Sequence, residues 1–139
     1  MRRLLVFACL VSCLTVGVAG GASAATTLKL TLKETSSKDT SNGFIARDNI
    51  FQSGAKVGTS RAVCKYVFPS GSDNPTGASC KATFTLVGGK LRLSAEFSFE
   101  AGRGPVTVTG GTREYAGASG TGTLRLKANN TTVFTLRLN

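Results

Sequence analysis

Apolar and polar residues alternate one by one along most of this chain from Thr27 onward. Leu28, Leu30 and Leu32 fall on one face of residues 27–33, and Lys29, Thr31 and Lys33 fall on the other. A period of two marks a strand with one buried face, whereas an amphipathic helix repeats every 3.6 residues. The same alternation returns in residues 48–53, 57–68, 79–86, 90–99, 105–109, 119–127 and 132–138. Turn chemistry separates these runs: Gly54, the Ser/Gly/Asp/Asn/Pro-rich segment 69–77, Gly88-Gly89, residues 101–104, Gly110-Gly111 and Asn129-Asn130. Segment 34–42, with Ser36, Ser37, Asp39 and Ser41, reads as a polar loop. Eight short strands joined by hairpins, with no helical periodicity after residue 24, predict an all-β antiparallel fold. A single closed eight-stranded β-barrel is favoured over a sandwich, because closure removes the two exposed sheet edges.

The segment before the first strand has a different character. Arg2-Arg3 is followed by the apolar run Leu4 to Val11, and Ala22-Ser23-Ala24 offers a small-x-small cleavage site. That order is the pattern of a secretory signal peptide. A membrane-spanning helix fits less well, since the strongly apolar part is short and Gly17, Gly20 and Gly21 interrupt the rest. The sequence thus divides into a signal peptide (1–24) and one barrel domain (25–139), and the mature protein is expected to be secreted. One variant reading takes Leu10-Val11-Ser12-Cys13 as a lipoprotein box, with Cys13 lipidated.

Removing residues 1–24 also removes Cys9 and Cys13 and leaves Cys64 and Cys80. An even cysteine count in an exported chain reads as a disulfide. The two cysteines share a parity on strands three and four, across one hairpin. A bridge there would enclose roughly 17 residues, worth about 3 kcal/mol in the chain-entropy model. The chain has no His. This excludes the Ser-His-Asp triad and imidazole metal sites, and it leaves two thiolates unable to complete a structural zinc site. It also leaves neither cysteine a histidine to activate it as a nucleophile.

Three stretches carry a family resemblance. The first is Asp48-Asn49-Ile50-Phe51 with Val57-Gly58-Thr59-Ser60 and Cys64. The second is Cys80 to Leu86 running into Gly88-Gly89. The third is Val108-Thr109-Gly110-Gly111-Thr112, followed by Tyr115, Ala118 and Gly120. Together they resemble the allene oxide cyclase/dirigent superfamily of small β-barrels, across residues 44–138. The third stretch is similar to that family's GGTG-x-Y-x-x-A-x-G signature. Arg113 stands where the family usually has Gly, which puts the shape of that turn in question.

The resemblance implies a barrel that holds a small apolar molecule, in which carboxylate and hydroxyl groups steer a reactive intermediate through cyclisation or coupling. It implies no metal and no cofactor. Asp48 matches the family's early-strand acid and is the candidate catalytic residue; its plain alternative is a surface acid at the start of a strand. Tyr66, Phe97 and Phe134 are candidate ligand-binding residues. Tyr66 shares its parity with Cys64, so it is either a core phenol or a donor to the pocket. Glu96 lies on the polar face of its strand and reads as solvated, while Tyr115 reads as packing beneath its loop. A non-catalytic secreted barrel for apolar or anionic extracellular ligands remains the alternative. Relatives in the superfamily are often trimers, which makes a homo-oligomer an expectation by analogy.

Lys and Arg number 17 against 7 Asp and Glu, a formal charge of +10 that falls to +8 without Arg2 and Arg3. Lys29, Lys33, Lys65, Lys81, Arg92, Arg125, Lys127 and Arg137 fall mostly on polar strand faces. Such a balance attracts anionic surfaces, and it also serves solubility and edge protection. No aromatic platform interleaves with the basic residues, so nucleic acid is not an expected partner.

Overall fold

Each alternating run pairs with its neighbours in sequence, and the last pairs with the first. The computed structural model describes residues 25–139. Its strands are β1 (Thr26–Thr40), β2 (Gly43–Gln52), β3 (Ala55–Val67), β4 (Gly77–Leu86), β5 (Gly89–Ser98), β6 (Arg103–Gly111), β7 (Gly120–Lys127) and β8 (Thr131–Leu138). A single 3₁₀ turn at Arg113–Tyr115 lies between β6 and β7. All pairs are antiparallel, and β1 meets β8 from Thr26↔Leu138 to Lys33↔Thr131, closing an eight-stranded barrel. The expected signal peptide, its Ala22-Ser23-Ala24 site and Cys13 lie outside the described residues.

One expectation is corrected. Residues 34–40 are not a loop: they continue β1 and pair with β2 as far as Thr40↔Gly43, leaving only Ser41-Asn42 to turn the chain. Ser36 to Thr40 are exposed, so these residues carry no apolar alternation. Backbone hydrogen bonding holds them in register with the start of β2. One extra residue, Thr35, is accommodated where the β1–β2 register shifts between Glu34 and Ser36. Bulges of this kind are common at barrel rims, where they re-aim side chains.

The barrel has two unlike ends. Leu30, Ile50, Leu91, Val106, Val108 and Leu136 fill the half nearest the β2–β3, β4–β5 and β6–β7 connections, each no more than 3% exposed. Tyr115 and Ala118 of the β6–β7 connection pack against that core. Tyr115 thus sits under its loop as the sequence indicated. The half nearest the β1–β2, β3–β4, β5–β6 and β7–β8 turns is hollow.

Candidate functional site

Register across three strands assembles the polar part of the site. Glu34 on β1 lies opposite Asp48 on β2, and Asp48 lies opposite Ser60 on β3. The row continues to Phe84 on β4 and Leu91 on β5. On β2, Asp48 shares its parity with Phe44, Ala46 and Ile50, so it belongs to the face that lines the interior. The Ser60 hydroxyl donates a 2.7 Å hydrogen bond to Asp48 Oδ2. Ser60 is 6% exposed and is the one buried polar residue among the described residues. Among the described residues no buried side-chain nitrogen or oxygen lacks a partner.

Glu34, Asp48, Ser60 and Phe84 of this row look into a cavity of about 290 Å³. Above Asp48, Ser60 and Phe84, toward the open end, the next inward positions are Ala46, Ala62 and Ala82. These three alanines are direct cross-strand partners. Three small side chains side by side leave the volume that leucines would otherwise fill. Above them Cys64 faces Cys80, and the two are joined by a disulfide in the cavity wall. Below, Phe84 and Phe134 meet edge to face with ring centroids 5.2 Å apart. They project from β4 and β8, which are diametrically opposite strands in the closed order, so the pair spans the bore and forms a floor.

Aromatic rings crowd the open end. Tyr66 packs against Phe44, Phe68 and Phe99 at 5.6, 6.2 and 6.3 Å, and Phe97 reaches Phe99 at 5.8 Å. Phe68 and Phe99 remain 46% and 41% exposed. At this end Glu34, Lys127, Asn130, Thr131 and Thr132 add polar groups to the lining. The Glu34 backbone N–H donates to the Asn130 carbonyl at 3.1 Å, tying the end of the inward part of β1 to the β7–β8 turn.

The environment changes the acids. Burial pushes the Asp48 carboxyl above the usual carboxylate range, and the Ser60 hydrogen bond opposes this by favouring the ionised form. Glu34 is raised as well, first by desolvation and then by the charge of Asp48. An acid displaced toward neutrality can exchange protons in both directions more readily than one in water. Among the described residues no group of three or more His, Cys, Asp or Glu is gathered that could hold a metal ion.

The structure brings Asp48, Phe97 and Phe134 to the cavity together with the Cys64–Cys80 pair. Tyr66 stands in the aromatic rim, outside the cavity wall. Glu96 is exposed on the outside of β5. Two further wall residues, Ser60 and Glu34, join the candidates that the sequence offers. Ser60 carries a signal, because it shares a parity with Cys64 and Tyr66. Glu34 continues the inward series Leu28, Leu30, Leu32 by one more step, but the polar residues that follow it make the segment look like a loop.

No protein-family model matches this chain, and no curated protein sequence matches it. Several solved structures share its fold. A pyocyanin demethylase superposes with a TM-score of 0.68 at 23% identity, covering 82% of this chain and all of that one. AbnU, an exo-specific intermolecular Diels-Alderase, gives 0.61 at 11% identity over 84% of this chain and 98% of its own. The Diels-Alderase AbmU from Streptomyces koyangensis gives 0.57 at 15% identity, over 87% of this chain and 72% of its own. At these identities the likeness is one of fold: this chain is similar to small antiparallel eight-stranded barrels.

Proposed function

We propose that this chain is an exported barrel that admits one small, largely apolar molecule through its open end, with Asp48 moving a proton during rearrangement or ring closure. The observation that carries the reading is a carboxyl group, hydrogen-bonded to a buried serine, in the wall of an otherwise mostly apolar chamber. A cavity of about 290 Å³ is at the small end of ligand sites, which limits the guest to a small molecule. Phe84, Phe97 and Phe134 supply flat apolar contact. Ser60 orients the carboxyl and stabilises its ionised form, while burial stabilises its neutral form. A group balanced in this way can protonate one atom of a bound molecule and accept the proton released from another. The proteins with similar folds are named as a pyocyanin demethylase and two Diels-Alderases, which favours a reactive over a purely structural barrel. The allene oxide cyclase/dirigent resemblance in residues 44–138 points to the same class of chemistry.

The test is titration of apolar fluorescent probes and of fatty-acid and phenolic ligands into wild type, Asp48→Asn and Ser60→Ala. Hydrogen bonds to charged groups are worth about 1.5–3 kcal/mol, so Asp48→Asn should weaken phenolic ligands by roughly ten- to a hundredfold. If none of the three proteins binds, the chamber is not a ligand site. If all bind equally, Asp48 takes no part and the barrel is a passive carrier. Export is supported by the order of residues 1–24 and by the disulfide, a bond typical of oxidising compartments. Intact-mass measurement of the exported protein should give a chain starting at Ala25, whereas a lipidated start at Cys13 would make it a surface-anchored protein.

A further inference from the structure

The outer face of β2–β5 carries a feature that the interior site does not use. Arg47 on β2 lies directly opposite Arg61 on β3. Arg61 lies opposite Thr83 on β4, and Thr83 lies opposite Arg92 on β5. Three arginines and a threonine therefore form one straight row across four strands. The neighbouring row on one side is Asn49, Thr59, Thr85 and Lys90. On the other side it is Ile45, Val63, Lys81 and Ser94. No carboxylate occurs in any of the three rows. Asp48 and Ser60 sit between them in sequence but belong to the interior face.

Like charges directly opposite one another on a sheet are destabilising, so the Arg47↔Arg61 pair does not serve the fold. Edge protection does not explain it either, because the β1–β8 pairing leaves the barrel without an edge strand. Arg61 stands between two shallow grooves, one shared with Arg47 and Lys90 and the other with Lys81 and Arg92. The Arg92 guanidinium lies over Gly110 of β6: a Cβ at that glycine would come within 3.0 Å of its Nη2. The missing side chain gives Arg92 a flat bed on the barrel wall.

We propose that this face docks an acidic polysaccharide. The planar guanidinium forks suit carboxylate or sulfate groups, which they can grip with two hydrogen bonds. The threonine, serine and asparagine side chains between them suit sugar hydroxyls. Three inter-strand steps span about 14 Å, more than one anionic group can cover, so the ligand carries anions on successive units. No aromatic side chain lies in the three rows, so a nucleic-acid base has nothing to stack on. The three rows face outward, away from the interior chamber; Asp48 and Ser60, which line that chamber, also border the groove shared by Arg47, Arg61 and Lys90.

The experiment measures binding of wild type to dextran sulfate, polygalacturonate and neutral dextran, at low and at physiological ionic strength. It compares Arg47→Gln/Arg61→Gln/Arg92→Gln with a control of equal charge, Lys29→Gln/Arg125→Gln/Arg137→Gln, whose substitutions lie on β1, β7 and β8. The single variant Arg61→Gln, the residue common to both grooves, is included in case the triple variant folds poorly. Wild type should bind both acidic polymers and not dextran. The stripe variant should lose about tenfold in affinity, as expected for three exposed charge contacts, and the control much less. Arg61→Gln should lose more than any single control substitution. Equal losses in stripe and control would overturn the proposal, leaving net charge alone as the cause. Tighter binding to duplex DNA or to phosphatidylglycerol vesicles than to either polysaccharide would overturn the choice of partner. Absence of binding to both polysaccharides at either ionic strength would end it.

Discussion

At position 48 a carboxyl group exchanges bulk water for alanine, phenylalanine and one serine hydroxyl. Desolvation holds its folded-state pKa above the value in the unfolded chain. The group therefore favours the folded state at pH below the ordinary carboxylate range. That contribution is lost as pH rises through the raised value. Asp48→Asn removes the titration while keeping an oxygen to accept the Ser60 hydrogen bond. The two proteins should have similar unfolding midpoints near about pH 3, with wild type falling below the variant as pH rises toward about 7. Chemical denaturation at several pH values reads this directly. Wild type more stable than the variant at neutral pH would mean that the Ser60 hydrogen bond outweighs burial. Arg113 shows a second local cost. It takes φ of 54° in the turn where the resembled family usually has Gly, so the turn keeps a left-handed conformation despite the substituted residue. A non-glycine residue costs roughly 1–2 kcal/mol in that conformation.

Among the elements, the β3–β4 hairpin holds the most of the site: Ser60, two of the three alanines, the disulfide and Phe84. It also carries the long loop between Val67 and Gly77, the widest gap in the ladder at the open end. Cys64 and Cys80 bridge the two strands below that loop, 16 residues apart in sequence. Replacing both by Ala should cost about 3 kcal/mol, measured as a loss in denaturation free energy. A loss under about 1 kcal/mol would mean that residual structure already restrains the unfolded chain without the bridge. Why some elements were legible in the sequence and others were not follows from burial. Residues 27–33 alternate because one face meets the core. Residues 36–40 are exposed on both faces, so strand and loop look alike there. Parity groups the residues of one face, Asp48 with Ile50 and Ser60 with Cys64, without saying which face is the inside. It does not give height along the barrel axis, which depends on the register of all eight strands. Tyr66 has the parity of the inward residues yet sits at the rim, above the cavity, for that reason. The contact of Phe84 with Phe134 was likewise illegible, since it depends on two strands meeting across the closed bore.

For the whole molecule, the barrel divides into a solid half and a hollow half, and the proposed function rests on that division. An eight-stranded barrel is just wide enough either to be filled by its own side chains or to hold one small guest. Leucine, isoleucine and valine fill one half here, while Ala46, Ala62 and Ala82 keep the other open. Ala62→Leu tests the division, because it places a branched side chain at the centre of the alanine row. In a solid core such an insertion costs typically about 1–3 kcal/mol in strain. In an existing cavity the added methyl groups bury apolar surface without displacing neighbours, so stability should stay within about 1 kcal/mol of wild type or rise. Binding of apolar probes should fall sharply in the same variant. Lost stability with unchanged binding would place the guest elsewhere. Retained stability with lost binding would locate it beside Asp48. The same variant then separates the two surfaces of the barrel: its affinity for acidic polysaccharide on the outer arginine row should match wild type, since Ala62 points inward while its neighbours Arg61 and Val63 face out.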